Sequence, residues 1–336
     1  MLDAIDTQIV ECLQVDGRAS WTQIARQIGV PTSTAFRRGT ALLEGNAILI
    51  ATLPTLEMYP EESRVYEIRL RCRHGAIRSV ARRLAQRHDS RWVAAITGEF
   101  DVSAELIVPQ SADLGEILID QIQSDPDVLT VDTTMVLAEH NVANDWPRRF
   151  PASEQPPQPE HACSPDHFDA TDRAILAELS EDGRRSYAAV AAALDLSENT
   201  VRRRCTEMFE RRCARVATLV RPHSLGYDEE LLIRLDVEPR HAGAVVETLA
   251  HQNGVHHIAS NFGAPSLVCE LMLKSHHDIR IFVQDVIAKL PGVTRMSVEI
   301  ELVVYKRGFL RCPWVRDEAA SDFNLRTARS EAAAAV

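Results

Sequence analysis

The stretch TSTAFRRGTALL (Thr32–Leu43) returns further along the chain as SENTVRRRCTEMF (Ser197–Phe209). Each is a short, arginine-bearing segment at the end of a compact three-helix pattern. Read as recognition helices, they make the rest of the chain the device that holds them in place. Read as basic surface helices, they are only solvated charge, the usual fate of arginine on a helix face.

The residues leading into the first copy favour the former reading. Asp3 is placed to cap a helix carrying Ile5, Ile9 and Leu13 at helical spacing, with Asp6 in the acidic first turn. Asp16-Gly17 ends that helix in a tight turn, and Ser20-x-x-Gln23 reads as a capping box for a second one with Ile24, Ala25 and Ile28 inward. Gly29-Val30-Pro31 turns again, and the third helix begins near Thr32. Short helix, tight turn, short helix, turn and basic helix is the helix-turn-helix pattern.

Shifting the sequence by 166 brings Asp3, Asp6, Asp16-Gly17-Arg18, Thr34 and Arg37-Arg38 onto Asp169, Asp172, Asp182-Gly183-Arg184, Thr200 and Arg203-Arg204. One residue is then lost, and a shift of 165 carries Ile68-Arg69-Leu70, Gly98, Glu105-Leu106 and Pro126 onto Ile233-Arg234-Leu235, Gly263, Glu270-Leu271 and Pro291. Two registers held over so long a span identify a tandem duplication. Between the copies, Pro147, Pro151, Pro156, Pro157, Pro159 and Pro165 mark a semi-rigid linker.

After each helical module, strand and helix patterns follow in the order βαββαβ. In copy one they are Glu67–Cys72, Ala76–His88, Trp92–Thr97, Ser103–Val108, Asp113–Gln123 and Val128–Leu137, and copy two repeats them from Leu231 to Val304. That order gives an antiparallel sheet with both helices on one face. The other face needs cover, and the sheet of the second copy is the simplest. In Ser297–Val304 the residues Val298, Ile300, Leu302 and Val304 alternate with polar ones and are the expected contact face.

The 336 residues suffice for several domains, and no apolar run approaches the roughly 18 residues of a membrane helix. Seven scattered cysteines without a Cys-x-x-Cys pair, and an acidic N-terminus, suggest reduced thiols in a cytoplasm. A net charge of −11 requires that any DNA-binding face be locally basic, as Arg37-Arg38, Arg202-Arg203-Arg204 and Arg211-Arg212 permit. His256-His257 and His276-His277 lack a partner at ligand spacing, so no metal and no cofactor is expected.

Leu2-Asp3-x-x-Asp6, Asp16-Gly17-Arg18, Thr34-x-x-Arg37-Arg38 and Gly98-Glu99-Phe100-Asp101, in this order, resemble the Lrp/AsnC family of transcription regulators. The resemblance implies a sequence-specific DNA-binding protein whose second module mediates assembly and senses a small molecule, typically an amino acid. On that basis Ser33, Thr34, Arg37, Arg38, Asn199, Thr200, Arg202, Arg203 and Arg204 are the candidate DNA contacts, and Gly98, Phe100, Asp101 and Gly263 the candidate effector turn. Asp101 either caps its turn or binds an amine. Gly39 departs from the family by standing where a buried aliphatic is expected, and Gly263-Ala264-Pro265-Ser266 keeps the glycine but loses the aromatic and the acid. From these departures copy two is expected to grip DNA harder and copy one to keep the better sensing turn.

Two alternatives stay open. Siroheme decarboxylases share the two-module build, and Arg221–Tyr227 is faintly similar to them, which would make His223 or His257 a proton donor or porphyrin partner. A metabolite-binding assembly that no longer binds DNA is the other.

The expected architecture is α+β, two copies of a winged-type helix-turn-helix domain plus a ferredoxin-like βαββαβ domain. The expected boundaries are 1–50 and 51–140 for copy one, 141–167 for the linker, 168–216 and 217–312 for copy two, and 313–336 for a flexible tail. The expected partners are double-stranded DNA and a small-molecule effector, with the two repeats paired within the chain and a further homo-oligomer open.

Overall fold

The computed structural model of the chain describes residues 2–54, 63–142 and 168–315. The linker from 143 and the tail from 316 lie outside the described residues.

Each copy opens with three helices: α1 (Ala4–Val15), α2 (Trp21–Ile28) and α3 (Thr32–Glu44) in copy one. Their caps form as the sequence implies. The Asp3 side chain accepts from the Asp6 N–H, and Ser20 and Gln23 complete a reciprocal capping box. Gly29 closes α2 in the left-handed region. Ile9, Leu13, Ile24, Ala35 and Leu42 bury one core among the three helices. Copy two repeats this with α6 (Ala170–Glu181), α7 (Tyr187–Leu194) and α8 (Glu198–Glu210) around Ile175, Leu179, Val190 and Val201. Asn46 and Arg212 both turn left-handed after the third helix, at φ 52° and 54°.

Gly39, which stands where a buried aliphatic is expected, has a packing reason in the structure. A Cβ there would lie 2.1 Å from Trp21 Cζ3, so the glycine lets the indole press against α3. In copy two the smaller Tyr187 ring stands opposite the buried Cys205 at the equivalent positions. Gly39→Cys is expected to destabilise the first helical unit by about 1–3 kcal/mol through overpacking. Trp21→Tyr in the same chain should recover most of that loss, measured as a double-mutant cycle in thermal unfolding.

The strand after each third helix finds its partner in the other copy. β1 (Ile48–Pro54) pairs antiparallel with β6 (Ala214–Val220), from Ile48↔Val220 to Pro54↔Ala214. The wing is therefore a shared two-stranded ribbon that straddles the expected boundaries at residues 50 and 216.

In the second module of copy one, β2 (Ser63–Cys72), β3 (Ser90–Ile96), β4 (Val102–Pro109) and β5 (Val128–Val142) form a sheet covered by α4 (Ile77–Gln86) and by a wide-turned helix α5 (Glu116–Gln123). Copy two supplies β7 (Glu229–Val237), β8 (Val255–Phe262), β9 (Leu267–Leu273) and β10 (Val293–Arg307), with α9 (Ala242–Ala250) and α10 (His276–Ile281). The order β10-β3-β4-β2-β5-β8-β9-β7 returns to β10, so the two sheets close into one flattened barrel. The closing pairs are reciprocal: β5 with β8, and β10 with β3, the fourth strand of each copy on the second strand of the other. Closure removes the exposed edges an open sheet would leave.

The expected contact face of Ser297–Val304 is reversed over most of its length. Glu299 and Glu301 are buried at 4% and 6% exposure, whereas Ile300 and Leu302 are 37% and 59% exposed. Val298 packs into the helix-covered core of copy two instead. A bulge between Glu301 and Val303 then shifts the alternation, so that Val304 faces the inter-sheet cluster. Beyond it, Val303 and Tyr305 enter the core of copy one. The tail expected from 313 is also shorter: after β11 (Leu310–Arg311), Trp314 packs both on the inter-sheet cluster and on Leu53, Ala217 and Leu219 of the ribbon.

Candidate functional site

The predicted DNA-contact residues divide into two groups. Ser33, Arg37, Asn199, Arg202 and Arg203 are exposed, and Thr34 and Thr200 are half-buried near the N-terminal ends of α3 and α8. Thr200 is engaged by the cap, its hydroxyl 2.8 Å from Ser197 Oγ. Arg38 and Arg204 lie on the opposite face. Arg38 bridges Asp3 at 2.5 Å and Asp6 at 2.8 Å, and Arg204 bridges Asp169 at 2.7 Å and Asp172 at 2.9 Å. Both arginines thus tie the third helix to the cap of the first. The backbone N–H of Asp172, with Arg204 beside it, holds the Asp169 carboxyl down at about 2.

The exposed faces of α3 and α8 differ in charge. Arg202 pairs with Glu198 at 2.5 Å and Arg203 with Glu207 at 2.8 Å, so the two outward arginines of α8 each carry a carboxylate. Ala41 stands where Glu207 does, leaving Arg37 beside the exposed Phe36, which meets Trp21 edge to face at 6.4 Å. The expectation that copy two grips DNA harder therefore loses its electrostatic basis.

The Asp-Gly-Arg turns bracket the two helical units. Arg184 Nη1 donates to the Gly17 carbonyl at 2.8 Å and Nη2 to the Ala19 carbonyl at 2.9 Å. Arg18 reciprocates on the Gly183 and Arg185 carbonyls. Each guanidinium also lies 4.5 Å over an aromatic ring of the other copy, Arg18 on Tyr187 and Arg184 on Trp21. Gly183 belongs to the same fit, since a Cβ there would stand 2.9 Å from the Ala51 backbone. These residues are not among the candidate sites read from the sequence, although Asp-Gly-Arg recurs in both copies.

At the predicted effector turn, Gly98 is left-handed at φ 109° and Gly263 at φ 122°. Asp101 Oδ2 accepts from the Cys72 N–H of β2 at 2.7 Å, a bond that ties the turn to the neighbouring strand. Phe100 is covered by the guanidinium groups of Arg69 and Arg71, 4.8 and 5.6 Å from its centroid.

Between the sheets lies an ionic layer that sequence periodicity missed. Arg234 of β7 reaches Glu67 of β2 at 2.6 Å and Glu299 of β10 at 2.9 Å. Burial pushes the Glu67 carboxyl up, but Arg234 outweighs it and holds the group below its usual range. Arg91 joins Glu105 and Glu139, and His257 lies 3.1 Å from Glu139. Arg307 joins Glu270, Glu301 and Glu230. Burial drives the Glu230 carboxyl up to about 7 and Glu301 well above the carboxylate range. Among the described residues, Glu105, Glu139 and His257 are close enough to share a metal ion. The Arg91 guanidinium already supplies the cation to both carboxylates. A cavity of about 40 Å³ opens beside this layer, lined among others by Trp92, Leu232, His257, Asn261 and Val268. Among the described residues no helix is long and apolar enough to cross a membrane.

Comparison with known proteins agrees with this build. The AsnC-type helix-turn-helix domain matches residues 2–43 and again 168–208, and the Lrp/AsnC ligand binding domain matches 67–143. An uncharacterised HTH-type transcriptional regulator of Pyrococcus furiosus is 35% identical over 145 residues, which are 43% of this chain and 98% of that protein. One from Pyrococcus horikoshii is 32% identical over the same length, 43% of this chain and 92% of its own. The HTH-type transcriptional regulator LrpA of Pyrococcus abyssi is 27% identical over 135 residues, 40% and 96% of the two chains. Over the whole chain, the fold is like that of the siroheme decarboxylase NirDL, with a TM-score of 0.58 at 14% identity, covering 90% of this chain and 92% of that one. Two matched helix-turn-helix units, one matched ligand-binding domain and relatives aligned over nearly their full length place this chain in the Lrp/AsnC family of HTH-type transcriptional regulators.

Proposed function

We propose that the chain binds double-stranded DNA through α3 and α8 together, as two dissimilar halves of one reader, and that a small molecule acting on the barrel adjusts their spacing. The observation that carries this is the bracket of Arg18 and Arg184, which fixes two exposed basic helices relative to each other within one chain. Helices so paired enter major grooves about 34 Å apart or a multiple of that. Because Phe36 stands in α3 where Arg202 stands in α8, the two half-sites should differ.

Mapping of bound genomic sites tests this, and a motif with two identical inverted halves would count against it. On a mapped site, Arg37→Ala is expected to weaken binding by about tenfold, at the lower end of a base or phosphate contact, with a shallower salt slope. Arg38→Ala should instead lower thermal stability while leaving that slope in place. An unchanged affinity for Arg37→Ala would remove α3 from the interface.

The decarboxylase alternative rests on fold likeness. The inter-sheet cavity is lined by charged side chains already paired with one another, Arg91 with Glu105 and Arg307 with Glu270. His223 is exposed and paired with Asp228, and His257 is held by Glu139. The regulator reading therefore fits the side chains better.

A further inference from the structure

The cavity between the sheets contains polar groups that the fold leaves unused. Its charged liners are engaged in ion pairs: Arg91 with Glu105 and with Glu139 behind it, Arg307 with Glu270, and Glu67 with Arg234 behind it. Asn261 is different. Its side chain is buried, and neither Oδ1 nor Nδ2 has a hydrogen-bond partner. The Trp92 Nε1–H, on the other copy's side of the same cavity, is buried and unpartnered too.

An unpaired buried amide costs stability, and the fold has no need of this one. Ile96 occupies the equivalent position in copy one and is fully at home in the inter-sheet cluster. His257 likewise stands where copy one has Trp92. The cavity is thus asymmetric in its hydrogen-bonding groups, with donors on Trp92 and Asn261 and an acceptor on Asn261.

We propose that this cavity binds the terminal carboxamide of a small metabolite. A carboxamide offers a carbonyl to accept from the Trp92 or Asn261 N–H and an N–H to donate to Asn261 Oδ1, meeting each unused atom with its complement. A carboxylate would accept but donate nothing, among carboxylates and already-paired arginines. The volume agrees: about 40 Å³ corresponds to roughly three water sites, enough for the three heavy atoms of the group. Asn261 lies two residues before Gly263, and its N–H closes the turn on the Ser266 carbonyl, so the cavity adjoins the Gly263 turn of copy two, the copy whose turn was expected to sense less well. Leu232, Val268 and Trp92 share one cluster with Trp314, which also packs on the ribbon between the helix-turn-helix units.

This assignment deepens the ligand-sensing half of the proposed function, but its test needs no DNA. Calorimetric titration of the full chain with L-glutamine and with propionamide is expected to give saturable binding, at least tenfold weaker or undetectable with L-glutamate and propionate. Asn261→Ile, which copies the residue of copy one, should keep or raise the melting temperature and abolish amide binding. Asn261→Ser, a smaller change that removes the amide edge, should abolish it as well. The absence of saturable heat with both amides overturns the assignment, as does binding that survives in a folded Asn261 variant or fails to discriminate amide from acid. None of these results bears on whether α3 and α8 grip DNA.

Discussion

Arg234→Met should lower the unfolding free energy of the barrel by about 3–5 kcal/mol, the usual consequence of leaving buried charges without their partner. The arginine side chain is 2% exposed and joins strands from both copies, donating to Glu67 at 2.8 Å and to Glu299 at 2.9 Å. Methionine keeps the length and apolar bulk, so the loss reads charge and not volume. Two signatures separate this from general damage. Replacing Glu67 and Glu299 by glutamine in the same chain should restore much of the stability, since the stranded charges are then gone. The contribution of Glu67 to the pH dependence should also change sign, against a background in which Glu299, pushed up by burial, contributes in the opposite direction. In the native chain Glu67 is held low by Arg234, so its contribution is present above a pH of about 4.5, the ordinary glutamate value, and fades on acidification. Without the arginine its buried carboxyl is pushed up, and falling pH should stabilise the variant. Denaturant unfolding at several pH values checks both; a loss below about 1 kcal/mol would mean that the ionic layer is not what holds the sheets in register.

The double substitution Arg18→Ala, Arg184→Ala should lower affinity for a complete DNA site by about a hundredfold while affecting an isolated half-site little. Each arginine spans the two helical units with two charge-assisted hydrogen bonds to carbonyls and a ring contact. Bonds to a charged group contribute about 1.5–3 kcal/mol. Without them the units remain tethered by the β1–β6 ribbon, but the second helix is no longer presented in a set position. The effective concentration that makes two weak contacts into one strong one falls accordingly, and a hundredfold is the lower end of what it supplies. Anisotropy titrations on full and half sites measure the difference. Equal losses on both would show that the arginines contact DNA themselves. The substitutions leave Arg37, Arg202 and Arg203 in place, so the outcome is independent of the recognition surface.

Local chemistry made much of the fold legible. Asp3, Ser20 and Gln23 form their caps because those signals act within one turn of helix and need no tertiary information. The duplication was equally plain, since two registers carried it. What period-two alternation could not tell was which face of β10 meets the other sheet. Both faces of that strand are covered in part, and the inner one carries Glu299 and Glu301, whose burial depends on arginines distant in sequence. The same limit applies to the arginines. Arg37 and Arg38 are neighbours of identical type, yet a helix turns them about 100° apart, one to solvent and one to Asp3 and Asp6. Gly39 is a third case: its purpose is visible only once Trp21 is seen against it.

Closure of the barrel within one polypeptide has a kinetic and evolutionary consequence. A reader assembled from separate subunits is subject to mass action, and its paired form is lost on dilution. Here the pairing of β5 with β8 and of β10 with β3 is intramolecular, so its extent is independent of how many chains a cell holds. Occupancy of DNA should then rise with the first power of chain concentration, without the threshold of a preceding dimerisation. Covalent fusion also guarantees that every left half meets a right half. Positions such as Trp92 and His257, or Phe36 and Arg202, are thereby freer to drift apart, because each copy has the other as its built-in partner.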